Sequence, residues 1–424
     1  MRDHRRITCT YYIETVGDPR RGAELLAGEQ SSGTFVKIPG ETDRIRERHA
    51  AEVVAVRALG PVAPSLPSRT SVDRVEAAEV DIEFPMENTG SDLATLLTAV
   101  AGNLFELGGL LACRLQRMVL PDELIADHPG PAFGVDGTRK LIGTTDGALV
   151  GTIVKPNVGL DETEYRNVVR TLARSGIDLI KDDELMTDPA YLPLETRVRV
   201  ATEEIRNAKE LTGRHTMYAF NITGDLPGLK GRHDLVVEAG GTCVMLTIPV
   251  MGLPALAWLR SFSTVPIHGH RGGLAAQMRH PGLGVSYQAW QQLARLAGAD
   301  HLHVSGLRSK FYETDDEVAA NINSLRQPLG HTIAPVPTLS SGQNVHAPGP
   351  TWAATHTTDV MMLAGGGIAA HPDGPAAGVR SLRQAWSAAI DGVPLQRAAE
   401  AAARTGEPAL LNAVRRFGHQ ASEG

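Results

Sequence analysis

The pattern of hydrophobic and polar positions differs between the first 130 or so residues and the rest of the chain. In the first 130 or so residues, runs typical of strands and helices follow one another without a regular repeat. Strands are predicted at 7–15, 51–59 and 75–84, and helices at 18–30 and 91–107. Asp18 and Pro19 suit the cap and first position of one helix, and Ser91 is the expected cap of the other. The pattern predicts an α+β domain.

From about residue 145, short apolar runs alternate with amphipathic helical stretches. Strands are predicted at 149–156, 177–184, 215–223, 242–250, 265–272, 299–306, 332–342 and 359–367, each followed by a helix. Eight βα units are what a closed parallel barrel needs. A doubly wound open sheet is the alternative, but it usually has fewer units and a Gly-rich turn after its first strand. We therefore predict an N-terminal domain at 1–130 and a (β/α)₈ barrel at 131–424.

Polar residues recur where the predicted barrel strands end. They are Lys155, Lys181, Asp182, Asp183, Glu184, His268, His270, Arg271, His301, His303, Ser340, Ser341, Gly365, Gly366 and Gly367. In a (β/α)₈ barrel the active site lies at the carboxyl ends of the strands. Unrelated surface residues would not gather at six strand ends, so we predict a catalytic site there.

The run KDDE at 181–184 directly follows apolar residues of the second predicted barrel strand. A charge run is usually a solvated face, but at this end of a barrel strand two carboxylates suit Mg²⁺, which prefers oxygen ligands. A neutral Lys181 amine would also react with CO₂, and the resulting carbamate would be a third oxygen ligand. Burial helps, because it disfavours the ammonium. The alternative is that Lys181 simply neutralises Asp183.

Two other kinds of side chain at these strand ends suggest contacts with a substrate. Lys155 would donate a proton to a carbanion or bind an anion, unless it is a rim lysine. His270 and His303 lie nearer the loops than His268 and His301, for which a core or rim position is expected. A zinc site between histidines is the competing interpretation.

The last two predicted barrel strands lead into small, polar loops. Gly365, Gly366 and Gly367 form either a tight turn or a phosphate cradle of backbone N–H groups. Ser341 and Gly342 fit the same use. Arg271 would clamp a second anionic group in a bidentate manner.

Composition narrows the class of protein. The chain has 424 residues, of which 42% are hydrophobic and 21% charged, with a formal net charge of −7. This balance argues against a nucleic-acid binder. No stretch approaches a membrane span, and the first 15 residues lack the apolar core of a signal peptide. Three widely separated cysteines fit a reducing compartment, so a cytoplasmic protein is expected.

Several motifs resemble the large subunit of ribulose bisphosphate carboxylase (RuBisCO), in the same order and at similar spacing. They are GTIVKPNVGL (151–160), IDLIKDDE (177–184), IHGHR (267–271), ADHLHVSGLRSK (299–310), SSG (340–342) and GGGIAAHP (365–372). Near the N-terminus, GEQSSGTF (28–35) and AGNLF (101–105) resemble a loop and the asparagine segment of the family. The resemblance spans almost the whole chain and implies a ferredoxin-like α+β domain before the barrel.

The resemblance implies roles in chemistry for one set of residues. Lys181 would be the carbamylated lysine, with Asp183 and Glu184 as the other Mg²⁺ ligands. Lys155 would be the acid/base lysine, and His270 would assist proton transfer. Lys310 would be the lysine of the mobile loop after the sixth barrel strand.

It implies substrate contacts for another set. Arg271, His303 and Ser341 would hold one end of the substrate, and Thr34, Gly365 and Gly366 would hold a phosphate at the other. Glu29 and the catalytic asparagine, Asn103, would come from the N-terminal domain of a neighbouring subunit. The resemblance therefore implies a homodimer, or a multiple of dimers, with shared active sites.

Departures from the family pattern point away from carboxylation. Asn157 replaces a lysine, Phe35 replaces a tryptophan and Gln343 replaces a glycine, and the loop GLRSKFYE (306–313) is unlike that of true carboxylases. These changes remove positive charge and phosphate-binding backbone, so weak binding of a bisphosphate is expected. The chain resembles the RuBisCO-like proteins, which do not fix CO₂.

Within that branch, the resemblance implies enzymes that form an enediolate from a phosphorylated keto-sugar or keto-acid. The GEQSSGTF loop and Asn103 favour the group that acts on 3-oxo-isoapionate-4-phosphate, by decarboxylation or by carboxylate transfer with hydrolysis. The alternatives are 2,3-diketo-5-methylthiopentyl-1-phosphate enolase, 5-methylthioribulose-1-phosphate isomerase and a genuine carboxylase. A metabolite-binding regulatory protein is the non-enzyme alternative.

Overall fold

The computed structural model describes residues 5–32, 38–67, 69 and 71–418. Contacts divide the chain into two compact units, the first from 1–129, 273–297 and 329–332, the second from 130–272, 298–328 and 333–424. The predicted domain bounds of 1–130 and 131–424 stay a prediction. No helix of the described residues is long and apolar enough to cross a membrane.

Thirteen strands are found in the described residues. In chain order they are β1 (Arg6–Thr15), β2 (Glu52–Val62), β3 (Val75–Pro85), β4 (Leu110–Val119), β5 (Leu149–Ile153), β6 (Leu179–Lys181), β7 (Met217–Asn221), β8 (Cys243–Thr247), β9 (Ile267–His270), β10 (Leu283–Val285), β11 (His301–Ser305), β12 (Val336–Leu339) and β13 (Met361–Leu363).

The α-helices of the same residues number eighteen. They are α1 (Pro19–Glu29), α2 (Asp43–His49), α3 (Leu93–Ala101), α4 (Asp122–Ala126), α5 (Gly134–Ile142), α6 (Glu162–Ala173), α7 (Leu194–Thr212), α8 (Leu226–Glu238), α9 (Ile248–Met251), α10 (Leu253–Phe262), α11 (Ala275–Met278), α12 (Tyr287–Leu296), α13 (Asp315–Arg326), α14 (Pro348–Thr355), α15 (Gly365–Ala369), α16 (Pro375–Ile390), α17 (Leu395–Arg404) and α18 (Ala409–Phe417). Two short 3₁₀ helices lie at Met86–Asn88 and Asn103–Glu106.

The first unit is built on a mixed sheet with the strand order β10-β4-β1-β3-β2. β1 lies antiparallel to both β3 and β4, β2 is antiparallel to β3, and β10 is parallel to β4. With α1 between β1 and β2, and α3 between β3 and β4, this is the ferredoxin-like order. The predicted α+β fold of this part is confirmed.

The helix ends of the first unit agree with the sequence at one cap and differ at another. Asp18 caps α1, and its side chain accepts from the Arg20 N–H at 3.0 Å. The predicted Ser91 cap is wrong, because Asp92 accepts from the Thr95 N–H at 2.7 Å. The predicted helix at 91–107 also ends early, at Gly102, where a Cβ would lie 2.4 Å from the Thr98 carbonyl oxygen.

The second unit contains the closed barrel. Strands β5, β6, β7, β8, β9, β11, β12 and β13 pair in parallel in that order, and β13 pairs with β5. All eight predicted strands and the helix after each are present, and the open-sheet alternative is wrong. The strands predicted at 242–250 and 359–367 end early, because α9 and α15 begin within those ranges. The caps explain why helices begin where they do, since Asp161 and Thr314 each form a capping box at α6 and α13.

The amino end of the barrel is packed and apolar. Its core comprises Ile142, Leu149, Leu179, Met217, Ala219, Cys243, Met245, Val336, Met361 and Leu363. Helix α5 is tied to β11 there, because Asp300 Oδ1 accepts from the N–H groups of Phe133 and Gly134 at 2.6 and 3.2 Å. The polar side chains at the opposite, carboxyl ends of the strands therefore extend from strands whose amino ends are held by this packed core.

Candidate active site

Lys155 and Asp183 meet above the carboxyl ends of the first two barrel strands. The Lys155 ammonium donates to Asp183 Oδ2 at 2.9 Å and to Asn157 Oδ1 at 2.5 Å. Asp183 is buried, whereas the Lys155 side chain is 36% exposed. Asn157, which stands where the family has a lysine, accepts from this ammonium instead of adding a second positive charge.

Lys181 is the last residue of β6, and its side chain is 1% exposed. Burial lowers the pKa of Lys181 from its ordinary value, against three nearby carboxylates that raise it. Its Nζ lies 3.7 Å from Glu184 Oε2. The neutralising partner of Asp183 is Lys155, so the alternative in which Lys181 has that role is not what the geometry shows.

Asp182 differs from its two acidic neighbours. Its carboxylate is fully buried and paired with the equally buried guanidinium of Arg197 on α7. It also accepts from the Tyr218 hydroxyl at 2.6 Å and from the Asn221 N–H at 2.9 Å. Asp182 therefore holds the strand end in place. Because the sequence shows only a continuous run of charged residues, it did not reveal that Asp182 has a different role from Asp183 and Glu184.

Asn221, the last residue of β7, was missed by the sequence reasoning. Its buried side-chain amide donates to the carbonyl oxygens of Asp183 and Glu184 at 3.3 and 3.2 Å. It thereby fixes the backbone that carries both predicted metal ligands. The sequence could have revealed Asn221, because it ends a predicted barrel strand like the other candidate residues.

Four histidines from β9 and β11 lie together in the barrel, all buried. Burial lowers the pKa of His270 to about 3. His270 Nδ1 accepts from the Gly272 N–H at 3.1 Å, so the proton of this neutral ring lies on Nε2, 3.7 Å from Glu184 Oε2. His268 and His301 are fully buried, as expected for core residues.

Arg271 is not an open anion clamp. Its guanidinium forms a bidentate ion pair with Glu313, with Nη1 at 2.9 Å from Oε1 and Nη2 against Oε2. Glu313 lies in the segment after β11 that also carries Lys310. Sequence spacing did not reveal this pairing, because the two residues lie 42 positions apart.

The loop after β12 and the first turn of α15 carry the expected small residues. Ser341 has a positive φ of 73°, and its buried Oγ has no hydrogen-bond partner within the described part of the chain. A Cβ on Gly342 would lie 3.9 Å from the backbone nitrogen of Lys310, and one on Gly365 3.6 Å from Lys155 Cε. A strained serine with an unpaired hydroxyl is typical of a ligand contact.

Gln343 lies between the loop after β11 and helix α15. Its side-chain amide donates to the Leu307 carbonyl at 3.3 Å. A Cβ on Gly306 would lie 2.2 Å from Gln343 Nε2, and one on Gly367 2.4 Å from the Gln343 carbonyl oxygen. The glutamine thus fills the space between these segments.

The predicted residues of the N-terminal part lie in the first unit. Glu29 ends α1 and Asn103 begins a 3₁₀ helix, and both side chains are exposed. The segments are joined, since Gln30 Nε2 donates to the Thr98 carbonyl at 3.3 Å. Thr34, predicted to hold a phosphate, lies outside the described residues.

The acidic residues suit a metal only if Lys181 contributes an oxygen. Among the described residues, no group of three or more His, Cys, Asp or Glu side chains forms a metal-binding cluster. Asp183 and Glu184 supply carboxylate oxygens, and a carbamate on the buried Lys181 amine, 3.7 Å from Glu184, would add the third. The donor set fits Mg²⁺ with a carbamylated lysine.

A cavity of about 1400 Å³ lies at the other end of the barrel, beside the amino ends of β5, β7 and β13. Basic side chains such as Lys140, Lys209 and Arg214 line it. It contains none of the strand-end residues described above. The predicted site residues are therefore separate from this cavity.

Comparison with known proteins identifies the family. The model described as ribulose bisphosphate carboxylase large chain, catalytic domain, matches residues 134–413, and that of the N-terminal domain matches residues 1–124. The chain belongs to the ribulose bisphosphate carboxylase large-chain family. Such proteins generally use Mg²⁺ and a carbamylated lysine.

Two relatives are named for the same substrate. The chain is 45% identical to the 3-oxo-isoapionate-4-phosphate transcarboxylase/hydrolase of Xanthobacter autotrophicus, over 96% of this chain and 98% of the other. It is 40% identical to the 3-oxo-isoapionate-4-phosphate decarboxylase of Rhizobium etli, over 92% and 94%. Both relatives are named as enzymes.

Solved structures agree with the fold. A rubisco-like protein from Burkholderia fungorum has a TM-score of 0.90 and 40% identity, over 97% of this chain and 99% of the other. The octameric Rubisco of Pyrococcus horikoshii has a TM-score of 0.88 and 30% identity, over 100% and 96%. The dimeric Rubisco of Hyperthermus butylicus has a TM-score of 0.86 and 26% identity, over 99% and 97%.

Proposed function

We propose that the chain is a Mg²⁺-dependent enzyme that acts on 3-oxo-isoapionate-4-phosphate. It removes the substrate carboxylate, either as CO₂ or by transfer with hydrolysis. The observation that carries the proposal is the cluster of Lys155, Lys181, Asp183 and Glu184 at adjoining strand ends, with His270 beside it. The particular substrate is supported by 45% and 40% identity to two proteins named for it.

We propose that Asp183, Glu184 and a carbamate on Lys181 hold the ion. When bound, Mg²⁺ stabilises negative charge that develops on substrate oxygen. Burial supports the carbamate, because it favours the neutral amine that reacts with CO₂. Asn221 keeps the two carboxylates in place through their backbone.

The chain's own residues would handle the protons. Cleavage of the bond between the carboxylate and its α-carbon releases CO₂, and the bonding electrons remain as an enediolate. Lys155 carries a proton beside Asp183, and His270 carries one on Nε2, so either delivers it to the carbon. In the reverse direction the same enediolate would add CO₂ through carbon, and water would then cleave a carbon–carbon bond of the β-keto acid that forms, which is why one site suits both outcomes.

The state of Arg271 supports a substrate with one phosphate. Glu313 neutralises the arginine that would otherwise clamp a second phosphate. We propose that Ser341 and Gly342 contact the substrate at that end, where His303 lies behind Ser340 with both ring nitrogens hydrogen-bonded within the protein. Gly365 and Gly366 would hold the phosphate with Thr34 at the other end. Lys310, exposed and next to Gly342, would approach the substrate from its loop.

The test uses the full chain with Mg²⁺, bicarbonate and 3-oxo-isoapionate-4-phosphate in D₂O. NMR would follow substrate loss and deuterium incorporation, and trapping of labelled CO₂ would separate decarboxylation from carboxylate transfer. Lys181→Ala should abolish turnover and its dependence on Mg²⁺. Lys230→Ala is the matched control, since Lys230 is exposed on α8 and pairs with Asp234. Normal turnover in Lys181→Ala would overturn the proposal.

We further propose a homodimer, or a multiple of dimers, in which Glu29 and Asn103 complete the site of a neighbouring copy. Relatives that are dimeric and octameric support this. Coexpressed Lys181→Ala and Asn103→Ala subunits should recover about a quarter of wild-type activity, because mixed dimers hold one intact site. No recovery would count against shared sites. The cytoplasmic location stays a prediction.

A further inference from the structure

A line of hydrogen bonds runs through the barrel from the loop after β12 to helix α5. Ser340 Oγ lies 3.2 Å from His303 Nδ1, and His303 Nε2 lies 2.7 Å from His268 Nε2. His268 Nδ1 lies 3.2 Å from His301 Nδ1, and His301 Nε2 lies 2.9 Å from Thr138 Oγ1. All ring nitrogens of the three histidines take part. The line joins the substrate side to the amino end of the barrel.

The far end of this line has a fixed direction. Thr138 Oγ1 lies 2.5 Å from the Gly134 carbonyl oxygen, one turn back along α5. A carbonyl only accepts, so the threonine hydroxyl proton is used there. Thr138 Oγ1 must then accept from His301, which places the His301 proton on Nε2.

That direction passes from ring to ring, because each neutral imidazole carries one proton. Burial lowers the pKa of His301 to about 3 and that of His268 and His303 well below its ordinary value, so all three rings are neutral. With His301 Nδ1 an acceptor, His268 carries its proton on Nδ1. His268 Nε2 then accepts, so His303 carries its proton on Nε2, and His303 Nδ1 accepts from the Ser340 hydroxyl.

We infer that Thr138 is a positioning residue that sets the tautomer of His303 from the opposite end of the barrel. The Ser340 proton is then committed to His303, and the Ser340 oxygen is left as an acceptor toward the substrate side. Such an acceptor fits a hydroxyl of the substrate better than a phosphate. The inference rests on the proposed function only for this last point, the identity of the group bound.

The test reads the tautomers directly. Long-range ¹H–¹⁵N correlation spectra of the ¹⁵N-histidine-labelled full chain distinguish protonated from bare ring nitrogens. The expected wild-type pattern is a proton on Nε2 of His301 and His303 and on Nδ1 of His268. Any one of the three in the opposite form overturns the inference.

Thr138→Val removes the acceptor while keeping the side-chain shape, and Thr138→Ser retains the hydroxyl. In Thr138→Val, His301 Nε2 loses its acceptor, so all three rings should invert together and His303 Nδ1 should donate to Ser340. Thr138→Ser should keep the wild-type pattern. Unchanged tautomers in a folded Thr138→Val variant would refute the role of Thr138, and the wild-type spectrum tests the rest if this variant fails to fold.

Kinetics separate this inference from the proposed function. After inversion the Ser340 hydroxyl accepts from His303 and turns its own proton toward the substrate. Thr138→Val should therefore raise KM for 3-oxo-isoapionate-4-phosphate about tenfold with little change in kcat. An equal fall in kcat and kcat/KM would contradict a positioning role through substrate binding. If this substrate is not turned over at all, the proposed function fails while the tautomer pattern is still measured.

Discussion

Replacing Asp182 should destabilise the chain without removing a metal ligand. Asp182 and Arg197 are both fully buried and form an ion pair. Asp182→Asn leaves the Arg197 charge without a carboxylate and turns one acceptor oxygen into an amide donor. That donor faces groups that are themselves donors, the Tyr218 hydroxyl and the Asn221 N–H.

The expected loss is about 3–5 kcal/mol, the usual effect of removing one partner of a buried ion pair. This is a large share of the roughly 5–15 kcal/mol by which domains are stable. Asp183→Asn is the matched control, one residue along the same strand end. Its partner Lys155 reaches solvent, so an unpaired ammonium there is readily hydrated. That variant should change stability by less than about 1 kcal/mol.

Urea unfolding followed by circular dichroism measures the stability of each variant, and calorimetry with Mg²⁺ and bicarbonate measures the metal site. Because a chain with two units need not unfold in one step, transition midpoints are compared at the same protein concentration. Asp182→Asn should have a clearly lower midpoint yet bind Mg²⁺ where it is folded, whereas Asp183→Asn should show the reverse. An Asp182→Asn variant as stable as wild type but without Mg²⁺ binding would refute the division of roles.

Three further outcomes are expected. Glu313→Gln should remove the negative charge that neutralises Arg271 and strengthen competitive inhibition by inorganic phosphate about tenfold, measured in the decarboxylation assay. Gln343→Gly should remove the hydrogen bond to Leu307 and speed amide exchange of that loop about fivefold, and unchanged exchange would contradict a pinned loop. Burial lowers the pKa of His301 to about 3 from 6.5, so the unfolded chain binds an extra proton between these values and stability falls as pH falls. His301→Gln should flatten that slope by about 1.4 kcal/mol per pH unit, measured by urea unfolding.

The barrel was predictable because its pattern is local. Each strand is a short apolar run and each helix an amphipathic stretch, so eight repeats reveal the architecture and the edge at which polar residues gather. The Asp18 cap was equally readable. Ser91 and Asp92 are both good caps, and only the backbone geometry decides between them.

Pairings between distant side chains were not predictable from the pattern. Arg197 follows Asp182 by 15 positions and Glu313 follows Arg271 by 42, and nothing local marks either as a partner. Strand register decides which histidine faces which, since His301 lies opposite His268 in the pairing of β11 with β9. Hydrogen-bond direction within that group then depends on Thr138, from a helix that precedes the barrel strands.

Because the barrel histidines are shielded from solvent, their chemical modification would report when the barrel opens. A reagent such as diethyl pyrocarbonate acylates accessible imidazole nitrogen, and His268 and His301 expose none of their surface. Mass-spectrometric footprinting of these two positions would therefore count openings of the barrel without an added label. If Mg²⁺ and bicarbonate slow the acylation, the ratio of the two rates measures how much less often the barrel opens when the site is loaded.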